Sequence, residues 1–143
     1  MPTRTAEAVW NGDLMSGKGQ LSTGSKAFSG SYDWKARSGE GTTGTNPEEL
    51  LGAAHAGCFS MALSHQLAQA GKPPKSVKTM AKVSFEKQTE GFAITKIDLT
   101  CEAQVPGIDD ATFQKLAQGA KTGCPVSKAL SATPINLSAK LIG

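Results

Sequence analysis

Two consecutive segments of the chain alternate between apolar and polar residues, which is the pattern of a strand with one buried face. Residues 77–86 form the first segment, residues 93–105 form the second, and the stretch Gln88-Thr89-Glu90-Gly91 separates them. Because each segment keeps its apolar side chains on one side, the pattern predicts a long antiparallel hairpin with one face in water. The apolar positions are Val77, Thr79, Ala81, Val83 and Phe85, then Ala93, Thr95, Ile97, Leu99, Cys101, Ala103 and Val105.

The segment before this hairpin predicts a long helix, from about Pro47 to Ala70. Thr45 or Asn46 can cap its start, proline suits its first turn, and a glycine followed by two prolines ends it. No Asp, Glu, Lys or Arg occurs between Glu49 and Lys72. A helix on the surface of a soluble protein would carry a charged face, so we expect this one to be enclosed on nearly every side.

The polarity and the small side chains of this helix indicate what encloses it. It is long enough to cross a bilayer, but its two histidines, two serines and two glutamines make it too polar for a membrane span. A chain of 143 residues rarely surrounds so long a helix by itself, which favours a partner subunit as the cover. The small residues that would permit close approach are Gly52, Ala53, Ala54, Ala56 and Gly57.

The remaining segments complete an α+β fold. The first 44 residues, punctuated by glycines, predict a meander of short antiparallel strands. A second helix is predicted over Asp109–Lys121, a short helix over Pro125–Leu130 and a final strand over Ile135–Leu141. We therefore expect one domain spanning residues 1–143, in which an antiparallel sheet packs on a long buried central helix.

Composition and charge bear on three questions: nucleic-acid binding, the cellular compartment and the presence of a metal site. The formal net charge of +3 comes without basic residues interleaved with aromatics, so nucleic-acid binding has no support. The first residues lack the apolar core of a signal peptide, and we expect a reducing cytoplasm, where a disulfide would be a working bond. With three cysteines, two histidines and no Cys-x-x-Cys spacing, no metal site is expected.

The three cysteines differ in their surroundings. Cys58 lies in the middle of the uncharged helix, where a thiol usually serves as a small hydrophobic side chain. Cys124 precedes Pro125 at the N-cap of the short helix, where backbone N–H groups and the dipole favour a thiolate, although an ordinary loop cysteine is an equal alternative. Cys101 lies on the inward face of a predicted strand and is expected in the core.

Polar residues near Cys58 leave two kinds of chemistry open. His55, one helical turn before Cys58, permits a Cys–His hydrolase, but the sequence shows no clear orienting partner or oxyanion hole. A reactive thiol in mid-helix gains little from the helix dipole and needs a fixed cation, for which Arg37 is suited. Glu48 can hold that guanidinium, or it can be only a carboxylate of the first helical turn.

Several motifs carry a resemblance to a known family. The longest is the run GTNPEELLGAAHAGCFSMAL at residues 44–63, and the second is AKTGCPVS at residues 120–127. Shorter matches are GFAITKI at 91–97, VPGID at 105–109 and WNGD at 10–13. Over essentially its full length the chain resembles the osmotically inducible protein C (OsmC) family, which is related to the organic hydroperoxide resistance proteins.

The resemblance implies a thiol peroxidase that reduces organic hydroperoxides. It makes Cys58 the peroxide-attacking thiol, Cys124 the resolving thiol of a Cys58–Cys124 disulfide, and Glu48 and Arg37 the residues that activate Cys58. An external dithiol would reduce the disulfide, and neither a cofactor nor a metal is implied.

Other basic residues are weaker candidates for the activating cation, namely Lys35 and Arg4. Cys101 matches no motif of the family and keeps its structural interpretation.

The spacing of the candidate residues favours a dimer. Ten residues separate Glu48 from Cys58, which is about 15 Å of rise along a straight helix. That is too far for one arginine to contact both within a chain, so Glu48 is expected to serve Cys58 of a partner subunit, in the interlocked homodimer that the resemblance also implies. The alternatives are a non-enzymatic thiol redox sensor or stress-induced binding protein, and a purely structural Cys58.

Overall fold

The computed structural model describes residues 1–39 and 43–143, which contain four helices and six strands in two sheets. The chain divides into two compact units, Met1–Leu50 and Leu51–Gly143. Within the described residues no helix combines the length and apolar character that a membrane crossing requires.

The first unit is built on a three-stranded antiparallel meander, as the glycine-punctuated sequence predicts. Its strands are β1 (Ala6–Asn11), β2 (Lys18–Thr23) and β3 (Ser29–Tyr32), in the order β1-β2-β3. Trp10, Gly19 and Tyr32 lie side by side across the three strands, and the two rings meet over the glycine with their centroids 5.3 Å apart. A side chain at Gly19 would clash with both rings. The short helix α1 (Trp34–Ser38), capped by Asp33, follows the sheet and was not predicted.

The long helix α2 (Pro47–Gln69) begins and ends within one residue of its predicted bounds. Of the two candidate caps, Asn46 accepts the hydrogen bond from the backbone N–H of Glu49, at 2.8 Å.

Side chains at every fourth position of α2 point into the core of the second unit. His55, Phe59, Leu63 and Leu67 are all fully buried there. Around the helix from this face, residues such as Ala53, Gly57, Met61 and His65 are exposed in the single chain. The chain alone therefore covers one face of the helix, and the predicted enclosure on nearly every side remains a prediction.

The second unit holds a mixed sheet, which corrects the predicted all-antiparallel one. Strands β4 (Ser76–Gln88) and β5 (Gly91–Gln104) form the expected hairpin. Strand β6 (Ile135–Leu141) has its predicted bounds but pairs parallel to β5. Two helices, α3 (Asp110–Gly123) and α4 (Pro125–Ala129), carry the chain back to the same end of the sheet before β6 begins, as a parallel pairing requires.

The core of the second unit joins three of these elements. Phe59, Leu63 and Leu67 of α2 belong to one buried cluster with residues of β5 and α3. Cys101 is part of this cluster, as the alternation of β5 predicts. The other members on β5 and α3 are Ile97, Leu99, Ala103, Phe113, Ala117 and Ala120.

Candidate functional site

Two free cysteines that are 66 residues apart in sequence meet in the second unit, where the Cys124 thiol donates a hydrogen bond to the Cys58 sulfur at an Sγ–Sγ distance of 2.7 Å. Cys58 lies on α2 and is partly exposed, whereas Cys124 is fully buried. The contact joins a helix from the middle of the chain to the junction of two helices near its end, so only the tertiary fold creates it.

Local sequence explains why Cys124 stands at a helix junction. Its backbone N–H donates to the carbonyl of Ala120 and closes α3, while its own carbonyl accepts from Lys128 in the first turn of α4. Pro125 occupies the start of α4, where its missing N–H costs no hydrogen bond. Cys124 is therefore the N-cap of α4, as the Cys-Pro pair predicts.

The two thiols differ in acidity. Burial, and after it the hydrogen bond with Cys124, raise the pKa of Cys58. Burial would also raise the pKa of Cys124, but hydrogen bonding with Cys58, and after it with Ser127, outweighs burial and lowers that pKa. Within the second unit Cys124 is therefore the more acidic thiol of the pair, which agrees with the prediction from its N-cap position.

A partly buried ion pair in the first unit joins two of the predicted site residues. The Arg37 guanidinium donates to Glu48 through Nη2, at 2.8 Å from Oε1, and through Nε, at 3.2 Å from each carboxylate oxygen. Glu48 is 6% exposed. Such a fork-to-fork pair fixes the plane of the guanidinium as well as its charge. Glu48 is therefore not only a carboxylate in the first turn of α2, because it also binds the guanidinium of Arg37.

The weaker candidates have other neighbours. Arg4 donates to the carbonyl of Thr3, at 3.3 Å, and Lys35 lies on α1 near the Asp33 carboxylate. In the described parts of the chain, no three His, Cys, Asp or Glu side chains are grouped so that they could hold a metal ion.

His55 has a partner that the sequence did not suggest. Its Nε2 lies 2.7 Å from the hydroxyl oxygen of Ser127, and both residues are buried. The other ring nitrogen, Nδ1, has no hydrogen-bond partner among the described residues, so neither nitrogen of His55 is bonded to Cys58 and a His55–Cys58 hydrolase pair has no geometric support. Sequence reasoning missed Ser127, although its place one helical turn after Cys124 was a usable signal.

Burial of His55 predicts a dependence of stability on pH. Burial lowers the pKa of His55 from its ordinary value of 6.5. Between the folded-state pKa and pH 6.5, the unfolded chain binds a proton at His55 that the folded chain does not bind. The stability that depends on keeping this imidazole neutral is therefore fully present above pH 6.5 and is lost as the pH falls toward the folded-state pKa.

We expect the melting temperature of the wild type to fall between about pH 7 and about pH 5, and the His55→Gln variant to lose part of that slope. His65→Gln, at the exposed histidine of the same helix, is the matched control and should keep the wild-type slope. Equal slopes in all three proteins would contradict the prediction. Thermal unfolding followed by circular dichroism makes the measurement.

A cavity in the first unit lies beside the guanidinium of Arg37. It encloses about 290 Å³. Its walls are mainly aromatic and aliphatic, so it offers an apolar surface next to a fixed positive charge. The lining residues are Trp10, Leu14, Tyr32, Asp33, Trp34 and Arg37.

Comparison with known proteins agrees with the motifs. Residues 39–140 match the family model described as OsmC-like protein. Peroxiredoxin OsmC of Escherichia coli (strain K12) is 53% identical over 130 residues, which is 90% of each chain. Organic hydroperoxide resistance protein OhrB of Bacillus subtilis (strain 168) is 33% identical over 91 residues, or 63% of this chain and 65% of that protein. The crystal structure of OhrB superposes with a TM-score of 0.69 at 26% identity and covers 96% of this chain and 98% of that one. The chain therefore belongs to the OsmC-like family.

Proposed function

We propose that the chain is a thiol peroxidase, an oxidoreductase that reduces organic hydroperoxides to alcohols through Cys58 and Cys124. The peroxidase class rests on the family and on a relative of 53% identity whose name is peroxiredoxin. The two-cysteine mechanism is based on the contact between the Cys58 and Cys124 sulfurs.

The cycle has three steps. The Cys58 thiolate attacks the terminal oxygen of the hydroperoxide, forming an S–O bond and breaking the O–O bond, and the alkoxide takes a proton and leaves as an alcohol. The Cys124 thiolate then attacks the Cys58 sulfenic acid, an S–S bond replaces the S–O bond, and water leaves after protonation. An external dithiol reduces the disulfide by exchange and is itself oxidised to a disulfide.

The separation of 2.7 Å supports assigning Cys124 as the resolving thiol. A sulfenic acid formed on Cys58 would arise beside a thiol whose pKa is lowered, and the lowered pKa increases the fraction of Cys124 that is present as the attacking thiolate. No large movement of either helix is required before the sulfurs bond.

Activation of Cys58 requires a cation, because burial raises the pKa of that thiol. We assign this role to Arg37, whose guanidinium is held by Glu48. The separation of ten positions between Glu48 and Cys58 along α2 favours a partner subunit's Arg37 as the cation that acts on Cys58. The functional unit would then be an interlocked homodimer in which the long helices lie at the centre.

The exposed face of α2 supports this dimer. Met61 on that face is 76% exposed, although it belongs to a helix segment with no charged side chain. Apart from the neighbouring residues and backbone of α2 itself, no heavy atom of the described residues lies within 4 Å of where a Cβ on Gly57 would be, so a second helix has room to approach there. An apolar, closely approachable stripe of this kind is typical of a subunit interface.

We expect Met61→Glu to dissociate the dimer and to remove peroxidase activity, because it buries a carboxylate at the proposed interface. Met80→Glu is the matched control, since Met80 is 66% exposed on the wet face of β4 between two lysines. Sedimentation velocity together with peroxide turnover tests both variants. A wild type that is a fully active monomer would contradict the proposal.

The cavity beside Arg37 supports a preference for organic peroxides over hydrogen peroxide. Its apolar walls can bury a hydrocarbon tail while the guanidinium attracts the polar peroxide group. Hydrogen peroxide has no tail and gains nothing from these walls.

We expect Leu14→Ala to lower kcat/KM for cumene hydroperoxide about tenfold, with little change for hydrogen peroxide, because it removes apolar wall from the cavity. Leu14 is 54% exposed, so the fold should tolerate the change. Met15→Ala, at a neighbouring exposed residue outside this cavity, is the control. Equal losses for both peroxides would count against a substrate role for the cavity.

The function itself is tested by cumene hydroperoxide consumption in the presence of excess dithiothreitol. A peroxidase turns over many equivalents rapidly, whereas a redox sensor shows slow or absent turnover even though the dithiol reduces its disulfide again. A hydrolase would instead cleave esters and depend on His55. The reducing cytoplasm and a single domain over residues 1–143 are part of the same proposal.

A further inference from the structure

Two side-chain contacts join α2 to the segment that begins at Cys124. The first is the contact between the Cys58 and Cys124 sulfurs, at 2.7 Å. The second joins His55 to Ser127, with Nε2 of the ring 2.7 Å from the serine oxygen. His55 precedes Cys58 by three residues, and Ser127 follows Cys124 by three. Because residues three apart lie one helical turn from each other, the hydrogen bond runs beside the pair of sulfurs.

The helix α4 needs an anchor of this kind because it has little structure of its own. It spans five residues, and its N-cap, Cys124, makes no side-chain capping hydrogen bond to the described residues. So short a helix does not hold its position without contacts to the rest of the fold. Among the residues of α4, all of which the structure describes, Ser127 is the one that is buried. Leu130 packs against the core beyond the far end of the helix, whereas Ser127 anchors the end that bears Cys124.

The bond between His55 and Ser127 fixes position more closely than an apolar contact would. A hydrogen bond weakens steeply when its distance or angle changes, whereas apolar attraction has no preferred direction. His55 is fully buried, and its Nδ1 has no hydrogen-bond partner among the described residues. Burying a ring nitrogen in this way is unfavourable, and an apolar side chain would avoid the cost. The presence of an imidazole therefore indicates that its bond to Ser127 has a task.

We propose that His55 and Ser127 are positioning residues that hold α4 against α2 and keep the Cys124 sulfur within bonding distance of the Cys58 sulfur. The inference rests on the proposed function, because it assigns the pair a task in the resolving step. The pair touches neither the hydroperoxide nor the external dithiol, and it acts by raising the effective concentration of one sulfur at the other. The sulfenic acid on Cys58 then reacts with Cys124 before a second hydroperoxide oxidises it further.

The equilibrium of the disulfide tests the proposal without any peroxide. Each protein is equilibrated in buffers of reduced and oxidised dithiothreitol, and the oxidised fraction is measured after acid quenching and alkylation of the remaining thiols. In this exchange the Cys58 and Cys124 thiols become a disulfide while oxidised dithiothreitol becomes the dithiol. The variants are Ser127→Ala and His55→Leu, with Ser127→Thr and His55→Gln as conservative partners.

We expect Ser127→Ala to lower the equilibrium constant for forming the disulfide about tenfold, the effect of losing one hydrogen bond. For a two-electron couple, this raises the reduction potential by about 30 mV. His55→Leu should have a similar effect, and the conservative variants should recover most of the loss. The double variant Ser127→Ala/His55→Leu should match the single variants, because both residues act through one bond.

Ser60→Ala is the matched control. The Ser60 hydroxyl lies 2.7 Å from the hydroxyl of Thr79, so it makes an equally short polar contact from α2, two residues after Cys58. That contact reaches β4 and not α4. Its loss should therefore leave the equilibrium constant near the wild-type value.

A wild-type equilibrium constant in Ser127→Ala, additive losses in the double variant, or an equal loss in Ser60→Ala would overturn the proposal. Circular dichroism confirms folding, and if the His55 variants fold poorly, the two Ser127 variants still decide the outcome. A protein that shows the expected losses but consumes no hydroperoxide would contradict the proposed function and leave the positioning role standing. One that consumes hydroperoxide while its variants keep the wild-type equilibrium would do the reverse.

Discussion

Replacing Cys58 with serine is expected to lower hydroperoxide turnover to the uncatalysed rate. A serine hydroxyl is almost wholly protonated near neutral pH, and its oxygen cannot follow the sulfur oxidation ladder to a sulfenic acid. The loss should appear with every hydroperoxide, because the residue performs the bond-breaking step. Steady-state consumption of cumene hydroperoxide with excess dithiol measures it.

Cys101→Ala provides the control, since Cys101 is a buried thiol in the core that has no assigned chemistry. That variant should retain most of its turnover even if its stability falls. Full activity in Cys58→Ser, or loss of activity in Cys101→Ala while it remains folded, would show that Cys58 is not the sulfur that attacks the peroxide.

Replacing Arg37 with methionine is expected to lower kcat/KM by about 10²–10³-fold, the usual effect of removing one preorganised donor from a developing negative charge. Arg37→Lys should recover only part of this, because an ammonium cannot make the forked contact with Glu48. Glu48→Gln keeps the shape of the carboxylate but not its charge, and should cost less than Arg37→Met.

Lys35→Met and Arg4→Met are matched controls for this experiment, since each removes a cation from the first unit. Both should leave kcat/KM near the wild-type value. A loss in either that equals the loss in Arg37→Met would identify a different activating cation. The pH profile of Arg37→Met should also move to higher pH, because the Cys58 thiolate loses its counter-charge.

The helices and strands could be predicted where local rules decide them. The helix α2 was placed within one residue at each end by its proline, its Asn46 cap and the glycine that follows it. The strand β6 was bounded by its alternation, but alternation does not specify a partner. Its parallel pairing depends on where α3 and α4 return the chain, which is a property of the tertiary fold.

The candidate site also combines features that the local sequence determines with features that depend on the tertiary fold. The lowered pKa of Cys124 was predictable only in part, because its N-cap position is a local feature whereas its hydrogen bond with Cys58 depends on the tertiary fold. The link between His55 and Ser127 joins residues 72 apart, and only the fold brings them together. The cavity beside Arg37 likewise depends on the meander, in which Trp10 and Tyr32 pack over Gly19. The helix α1 was missed because five residues are too short for a hydrophobic period.

The most direct test of the two-cysteine mechanism is to treat the reduced protein with one equivalent of cumene hydroperoxide and to map its cysteines by mass spectrometry. The mechanism predicts a Cys58–Cys124 disulfide in the wild type and a trapped sulfenic acid on Cys58 in Cys124→Ser, with Cys101 reduced in both. Oxidation that begins on Cys124, or a wild type that consumes peroxide without forming this disulfide, would contradict it.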